Sequence, residues 1–144
     1  MRNIHLLVII VFQVLWIIGG LRDASTKTEF VTKDGSTIGP DINSTSGACA
    51  TRMNATHGIV IGGYDNSKET LFVNFQTFPY QMETGPELSI RRWHSACSRF
   101  SHVNRTEYVI VAGGHGKASE NTTDILNVSD NSGTWITGTY NDFS

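Results

Sequence analysis

Three landmarks of this sequence recur in the same order. Gly39-Pro40-Asp41-Ile42 is echoed by Gly85-Pro86-Glu87-Leu88, Gly47-Ala48-Cys49-Ala50 by Ser95-Ala96-Cys97-Ser98, and the glycine pair Gly62-Gly63, after Ile59-Val60-Ile61, by Gly113-Gly114, after Val109-Ile110-Val111-Ala112. The separations are 46, 48 and 51 residues. A repeat of that length is one supersecondary unit that cannot bury its own apolar face, so it folds by stacking on its neighbours. Within each unit the local signals are all β. Residues 46–53 and 94–101 are short, mixed stretches free of helix caps, each followed by a polar turn and then a β-branched run that ends in the glycine pair. A glycine pair at a strand end supplies positive φ and close backbone approach. A third strand is expected over Thr70–Phe75 and Thr123–Val128, and a fourth over Tyr80–Met82 and Gly133–Thr137. Four short strands per repeat of about 50 residues is the arithmetic of a propeller blade.

Composition narrows the class further. The chain has 144 residues, 11 Lys+Arg against 13 Asp+Glu, and only 17% charged residues. That length holds one ordinary domain. Low charge with 14 Gly points away from helical bundles, and the near-neutral balance offers no electrostatic pull toward nucleic acid. Two cysteines are too few for a disulfide-dense miniature scaffold.

The ordered set of residues resembles the kelch repeat. Kelch units have Arg-x-x-His opening the first strand, an apolar run into Gly-Gly, a Thr-Glu-type third strand and a late tryptophan. The second unit is similar in Arg91-Arg92-Trp93-His94, Val109 to Gly114, Thr123 to Asn127 and Trp135; the first is similar in Ile59 to Gly63 and Gly85-Pro86, with Met82 where Trp135 aligns and without the Arg and His. Upstream, Thr28-Glu29-Phe30-Val31 through Gly39-Pro40 resembles the outer two strands of a preceding blade. The resemblance implies an all-β fold of about two four-stranded antiparallel blades plus an outer half-blade: 26–42 the half-blade, 43–88 the first repeat and 89–144 the second. Gly62, Gly63, Gly113 and Gly114 are its structural glycines. Closed propellers take about 4–8 blades, so the expectation is a partial propeller.

The N-terminus reads as a targeting segment over 1–20. Arg2 precedes an apolar run from Leu6 to Ile18 broken by Gln13, and the small residues Gly19-Gly20 follow. This order is that of a secretory signal peptide, and a run of about 13 residues falls short of the roughly 20 that span a bilayer. The alternative is an uncleaved signal-anchor, the one version in which a membrane is a partner. Sequons at Asn43, Asn54, Asn104, Asn121 and Asn127 fit a secreted glycoprotein. Chance would give about two, and most of the five fall in expected turns.

No catalytic constellation is visible. His57, His94, His102 and His115 are scattered, with no metal-ligand spacing, and no nucleophile elbow, phosphate loop or dinucleotide fingerprint occurs. No cofactor and no metal are expected. The resemblance assigns His94 to packing within its blade, a solvated loop position suits His115, and Arg91-Arg92-Trp93 reads as a locally paired arginine with a tryptophan between blades. Trp135, Phe72, Phe75, Phe78 and Tyr80 read as inter-blade packing. The resulting expectation is a non-enzymatic, secreted scaffold that binds a protein partner, with glycan as a second ligand class, through propeller loops and without nucleic acid. The alternative is a carbohydrate-binding or glycosidase- or oxidase-like propeller fragment. In a kelch blade the first strand is innermost, which implies an approach of Cys49 to Cys97 and a disulfide; the other reading makes each thiol a small buried hydrophobe.

Overall fold

A computed structural model of the chain describes residues 7–11, 14–18, 28–42, 47–63, 67–115, 121–129 and 133–139, of which 7–11, 14–18 and 139 are described in backbone only. Among these residues the protein is all-β, without a helix. The strands are β1 (Leu7–Val11), β2 (Val14–Ile18), β3 (Thr28–Thr32), β4 (Gly35–Ile38), β5 (Cys49–Arg52), β6 (His57–Ile61), β7 (Thr70–Asn74), β8 (Gln81–Thr84), β9 (Ala96–Ser101), β10 (Glu107–Ala112), β11 (Thr122–Asn127) and β12 (Trp135–Thr139). They form three antiparallel sheets, each a meander in chain order: β1-β2-β3-β4, β5-β6-β7-β8 and β9-β10-β11-β12. The sheets do not close into a ring. From Thr28 onward every expected strand is present.

The alternation of side chains along each strand gives the second sheet two apolar faces. One carries Val60 and Val73 and packs with Phe30 and Ile42 in a cluster that also takes in Ala50, Phe75, Tyr80 and Met82. The other carries Cys49, Ile59 and Ile61 and packs with Val109, Val111, Leu126 and Trp135 of the third sheet. The second sheet is therefore covered on both sides. The outward face of the third sheet carries Tyr108, Ile110, Ile125 and Ile136, half-buried or exposed. The first strands β1, β5 and β9 lie side by side, β1 against β5 and β5 against β9.

The linkers after β4 and β8 explain the repeated Gly-Pro. The Gly39 amide donates to the Thr28 carbonyl at 2.8 Å, and the Gly85 amide to the Thr70 carbonyl at the same distance. The Thr28 and Thr70 hydroxyls in turn donate to the carbonyls of Pro40 and Pro86 at 2.8 and 2.6 Å. A Cβ on Gly39 would sit 2.2 Å from Thr28 Oγ1, and one on Gly85 2.6 Å from Thr70 Oγ1. Both positions require glycine because the linker lies flat on the third strand of its own sheet.

The apolar N-terminal run, expected as a targeting segment, forms two strands in this structure. β1 and β2 pair with each other and β2 pairs with β3, Leu15 opposite Val31 and Ile18 opposite Thr28. The half-blade expected over 26–42 is thereby extended inward by two strands that fall within the 1–20 segment. A short run of Val, Ile and Leu serves either purpose, since a signal peptide's apolar region and a buried strand pair have the same composition.

Candidate functional site

The segment from Ser89 to Ser95 connects the second sheet to the third and carries a fully buried arginine between them. Arg92 is its anchor, with no exposed surface. Its backbone belongs to the second sheet: the amide donates to Ser67 O at 3.1 Å, and the carbonyl accepts from the Gly63 amide at 3.1 Å. Its side chain belongs to the third. Nε donates to Asp124 Oδ2 at 2.9 Å, Nη1 to the carbonyls of Gly113 at 2.6 Å and Thr122 at 3.1 Å, and Nη2 to Thr122 Oγ1 at 3.0 Å. Asp124 is fully buried as well, and its Oδ1 accepts from Ser89 Oγ at 2.9 Å and from Thr137. A buried ion pair is tolerated only when its remaining hydrogen-bonding sites are met, and here the guanidinium fork is met by the Gly113 and Thr122 carbonyls and the Thr122 hydroxyl.

The Arg-x-x-His pattern takes Arg91 as its arginine, with Arg92 beside it. The structure separates them: Arg91 is exposed and Arg92 is the buried member. Burial falls on Arg92 and not on the arginine of the pattern, because it depends on the Asp124 carboxylate 32 residues away.

Trp93, His94 and His115 lie beside this anchor. The Trp93 ring meets the His94 ring edge-on at 4.6 Å and the His115 ring at 5.3 Å, and the His115 amide donates to the Trp93 carbonyl at 2.6 Å. Trp93 covers Gly47, where a Cβ would lie 2.1 Å from the indole. The tryptophan thus closes one end of the boundary between the second and third sheets. His94 departs from its expected place within the blade. It is exposed, has φ of 56°, and its amide donates to the Gly47 carbonyl at 2.8 Å. His115 is exposed, as expected of a loop position. Phe78 also departs from expectation, being 75% exposed, whereas Phe72, Phe75, Tyr80 and Trp135 pack at the sheet boundaries.

Cys49 and Cys97 lie in the same boundary. Cys49 is buried, Cys97 is half-buried, and both are free thiols. Their equivalence is corrected by the register. Cys49 stands opposite Ile61, the residue before its glycine pair, whereas Cys97 stands opposite Val111, two residues before its own. The structural counterpart of Cys49 is Ala96, opposite Ala112. A one-residue offset reverses the side-chain direction, so Cys49 faces the third sheet and Cys97 faces the second. Contact with Cys49 Sγ, then withdrawal from water, hold the Cys97 thiol well above its ordinary pKa. Ser95 Oγ donates to Cys49 Sγ at 3.7 Å.

The glycine pairs adopt the backbone their sequence asks for, with φ of 67° and 135° at Gly62 and Gly63 and 66° and 120° at Gly113 and Gly114. Among the sequons, Asn54 and Asn104 occupy equivalent turns between the first and second strands of their sheets. Asn54 Oδ1 accepts from the Thr56 and His57 amides at 2.8 Å, and Asn104 Oδ1 from the Thr106 amide at 3.0 Å. Asn121 is exposed at the start of β11; Asn127 ends β11, half-buried, with Oδ1 accepting from the Ser129 amide at 3.0 Å. Asn43 lies outside the described residues. Among the described residues no group of three His, Cys, Asp or Glu is placed to hold a metal ion. No family model and no curated protein matches the sequence.

Proposed function

We propose that this chain is a secreted, glycosylated kelch-type repeat protein, part of a β-propeller, that acts as a binding scaffold for a protein partner. The observation that carries this reading is the stacking: β3 and β4, which lie beyond the leader, and the two four-stranded meanders that follow each face the next, with the first strands β5 and β9 side by side. That is the order in which propeller blades surround an axis, and such blades present their turns on two opposite faces. Rigid strands with polar turns position recognition residues without constraining what they recognise. Secretion draws support from the turn geometry at Asn54 and Asn104, where the Asx turn uses Oδ1 and leaves the amide nitrogen as the point of glycan attachment.

The test of the scaffold reading is affinity capture with the full chain from extracellular fluid, alongside a variant with residues 102–106 replaced by Gly-Ser. One polypeptide retained by the parent and lost by the turn variant is the expected result. Saturable binding of a defined oligosaccharide from a glycan panel, with no polypeptide retained, overturns it in favour of a carbohydrate-binding propeller. N-terminal sequencing of the secreted protein tests the leader: a start near Leu21 is expected, and an intact Met1 in protein recovered with membranes overturns it.

A further inference from the structure

We propose that Cys49 and Cys97 form a disulfide that joins the first strand of the second sheet to the first strand of the third. Two geometric observations carry this. β5 and β9 are neighbours across the sheet boundary. The one-residue offset in register turns the two thiols toward each other: Cys49 shares a face with Ile59 and Ile61, and Cys97 shares one with Val109 and Val111, and these four aliphatic residues form a single core layer. Beside this geometry, the neighbouring Cys49 is the first cause that holds the Cys97 thiol above its ordinary pKa. Had the cysteines occupied equivalent positions, as their matching tetrapeptides imply, both would point the same way and could not meet. The chain has two cysteines, so one intramolecular connectivity exists.

The bond needs a two-electron oxidant, and a small-molecule or protein disulfide supplies it. Cys97, the more exposed thiol, loses its proton and attacks one sulfur of the oxidant, releasing a first thiol and leaving a mixed disulfide. Cys49 then loses its proton and attacks Cys97 Sγ, forming the Cys49–Cys97 bond and releasing a second thiol. The sum is two protein thiols oxidised and one oxidant disulfide reduced to two thiols. The neighbouring Cys49 and the buried surroundings, which hold Cys97 protonated, make the first step slow in the folded chain, since the thiolate is the nucleophile.

The proposal is independent of secretion and of the propeller reading, because the oxidation is carried out on purified protein. The full chain, reduced and then exposed to glutathione disulfide without denaturant, is quenched by alkylation and mapped without reduction. The expected result is a Cys49–Cys97 linked peptide as the main product, with a ratio to glutathionylated peptide roughly tenfold or more above that of the same chain oxidised in guanidinium, because folding raises the effective concentration of one thiol at the other. A Cys49→Ser/Ala50→Cys variant moves the thiol to the opposite face of β5 and is expected to give no intramolecular link. Two separately modified cysteines in the folded parent, or equal linkage in the shifted variant, overturns the proposal.

Discussion

The two boundaries between sheets solve one packing problem by different chemistry. Between the first and second sheets the contact is aromatic: the Phe30 ring lies 4.1 Å from Tyr80 and 6.0 Å from Phe75 by ring centroids. Between the second and third sheets the layer is mainly aliphatic, and a buried ion pair, Arg92–Asp124, stands at one end of it. The residue in the second sheet that corresponds to Asp124 is Leu71, opposite Val60 as Asp124 is opposite Val111. Rings fill space and define an orientation by shape alone. Aliphatic side chains pack interchangeably, and a charge-assisted, multiply bonded pair fixes the alignment that they leave loose. The linkers differ accordingly: both begin with a Gly-Pro latch, but only at the second boundary does the connecting segment reach into the next sheet with a guanidinium.

Four experiments sharpen or break this comparison, beginning with the largest effect. Asp124→Ala leaves Arg92 buried and uncompensated, and a loss of about 3–5 kcal/mol is expected in denaturant unfolding. Leu71→Ala, at the corresponding place in the second sheet, is expected to cost only about 1–2 kcal/mol because Leu71 is half-buried. An Arg92→Leu/Asp124→Leu double variant is expected to recover most of the loss, as apolar replacements of buried pairs do. Equal costs for Asp124→Ala and Leu71→Ala would dissolve the distinction between the boundaries.

Phe30→Ala removes the ring that the other boundary is built around, at an expected cost of about 3–4 kcal/mol. Hydrogen exchange should show the consequence in β3 and β7, with amide protection in β10 and β11 retained. Loss of protection throughout would mean that the boundaries are not energetically separate.

The glycine pairs give a smaller contrast. Gly62 and Gly113 share nearly the same φ, 67° and 66°. A Cβ on Gly62 would lie 2.4 Å from the Arg92 carbonyl oxygen, whereas one on Gly113 has nothing within 4 Å. Both alanine variants pay the left-handed strain of about 1–2 kcal/mol. Gly62→Ala is expected to lose about 1–2 kcal/mol more, because the opposing atom is backbone and cannot turn aside. Thermal unfolding of the two variants measures the difference, which reports the connecting segment pressed against the second sheet.

The smallest effect is alkaline. The Cys97 thiol is held above its ordinary pKa by Cys49 and by burial, so the folded reduced chain binds a proton that the unfolded chain releases above about pH 8.5. Stability is therefore unaffected below that value and falls as pH rises past it, by under about 1 kcal/mol at about pH 9. Cys97→Ser is expected to abolish this slope in reduced protein. An unchanged slope would mean that the thiol is not withdrawn from water at this boundary.

Much of the architecture was legible from residue order. The strands from Thr28 onward, the turns at Asn54 and Asn104, and the apolar layers follow from alternation, β-branched runs and turn residues, all local properties of the chain. So were the glycine pairs, because positive φ at a strand end has few other solutions. The site at the second boundary was only half legible. The motif around Trp93 marked the right segment, yet which arginine is buried depends on a carboxylate distant in sequence, and the outward turn of His94 depends on the Gly47 carbonyl. The cysteines were paired in sequence for an imperfect reason: similar tetrapeptides implied equivalence, and it is the one-residue departure from equivalence that brings the thiols together.

By itself, then, the sequence determined that the chain forms repeated antiparallel meanders, since strand, turn and repeat signals depend on neighbours a few residues apart. Tertiary structure alone decided which face of each meander meets the next, which polar groups are buried between them, and that the apolar run near the N-terminus pairs onto β3. Those outcomes depend on register, and a shift of one residue, invisible in composition and nearly so in pattern, moves every side chain of a strand to its opposite face.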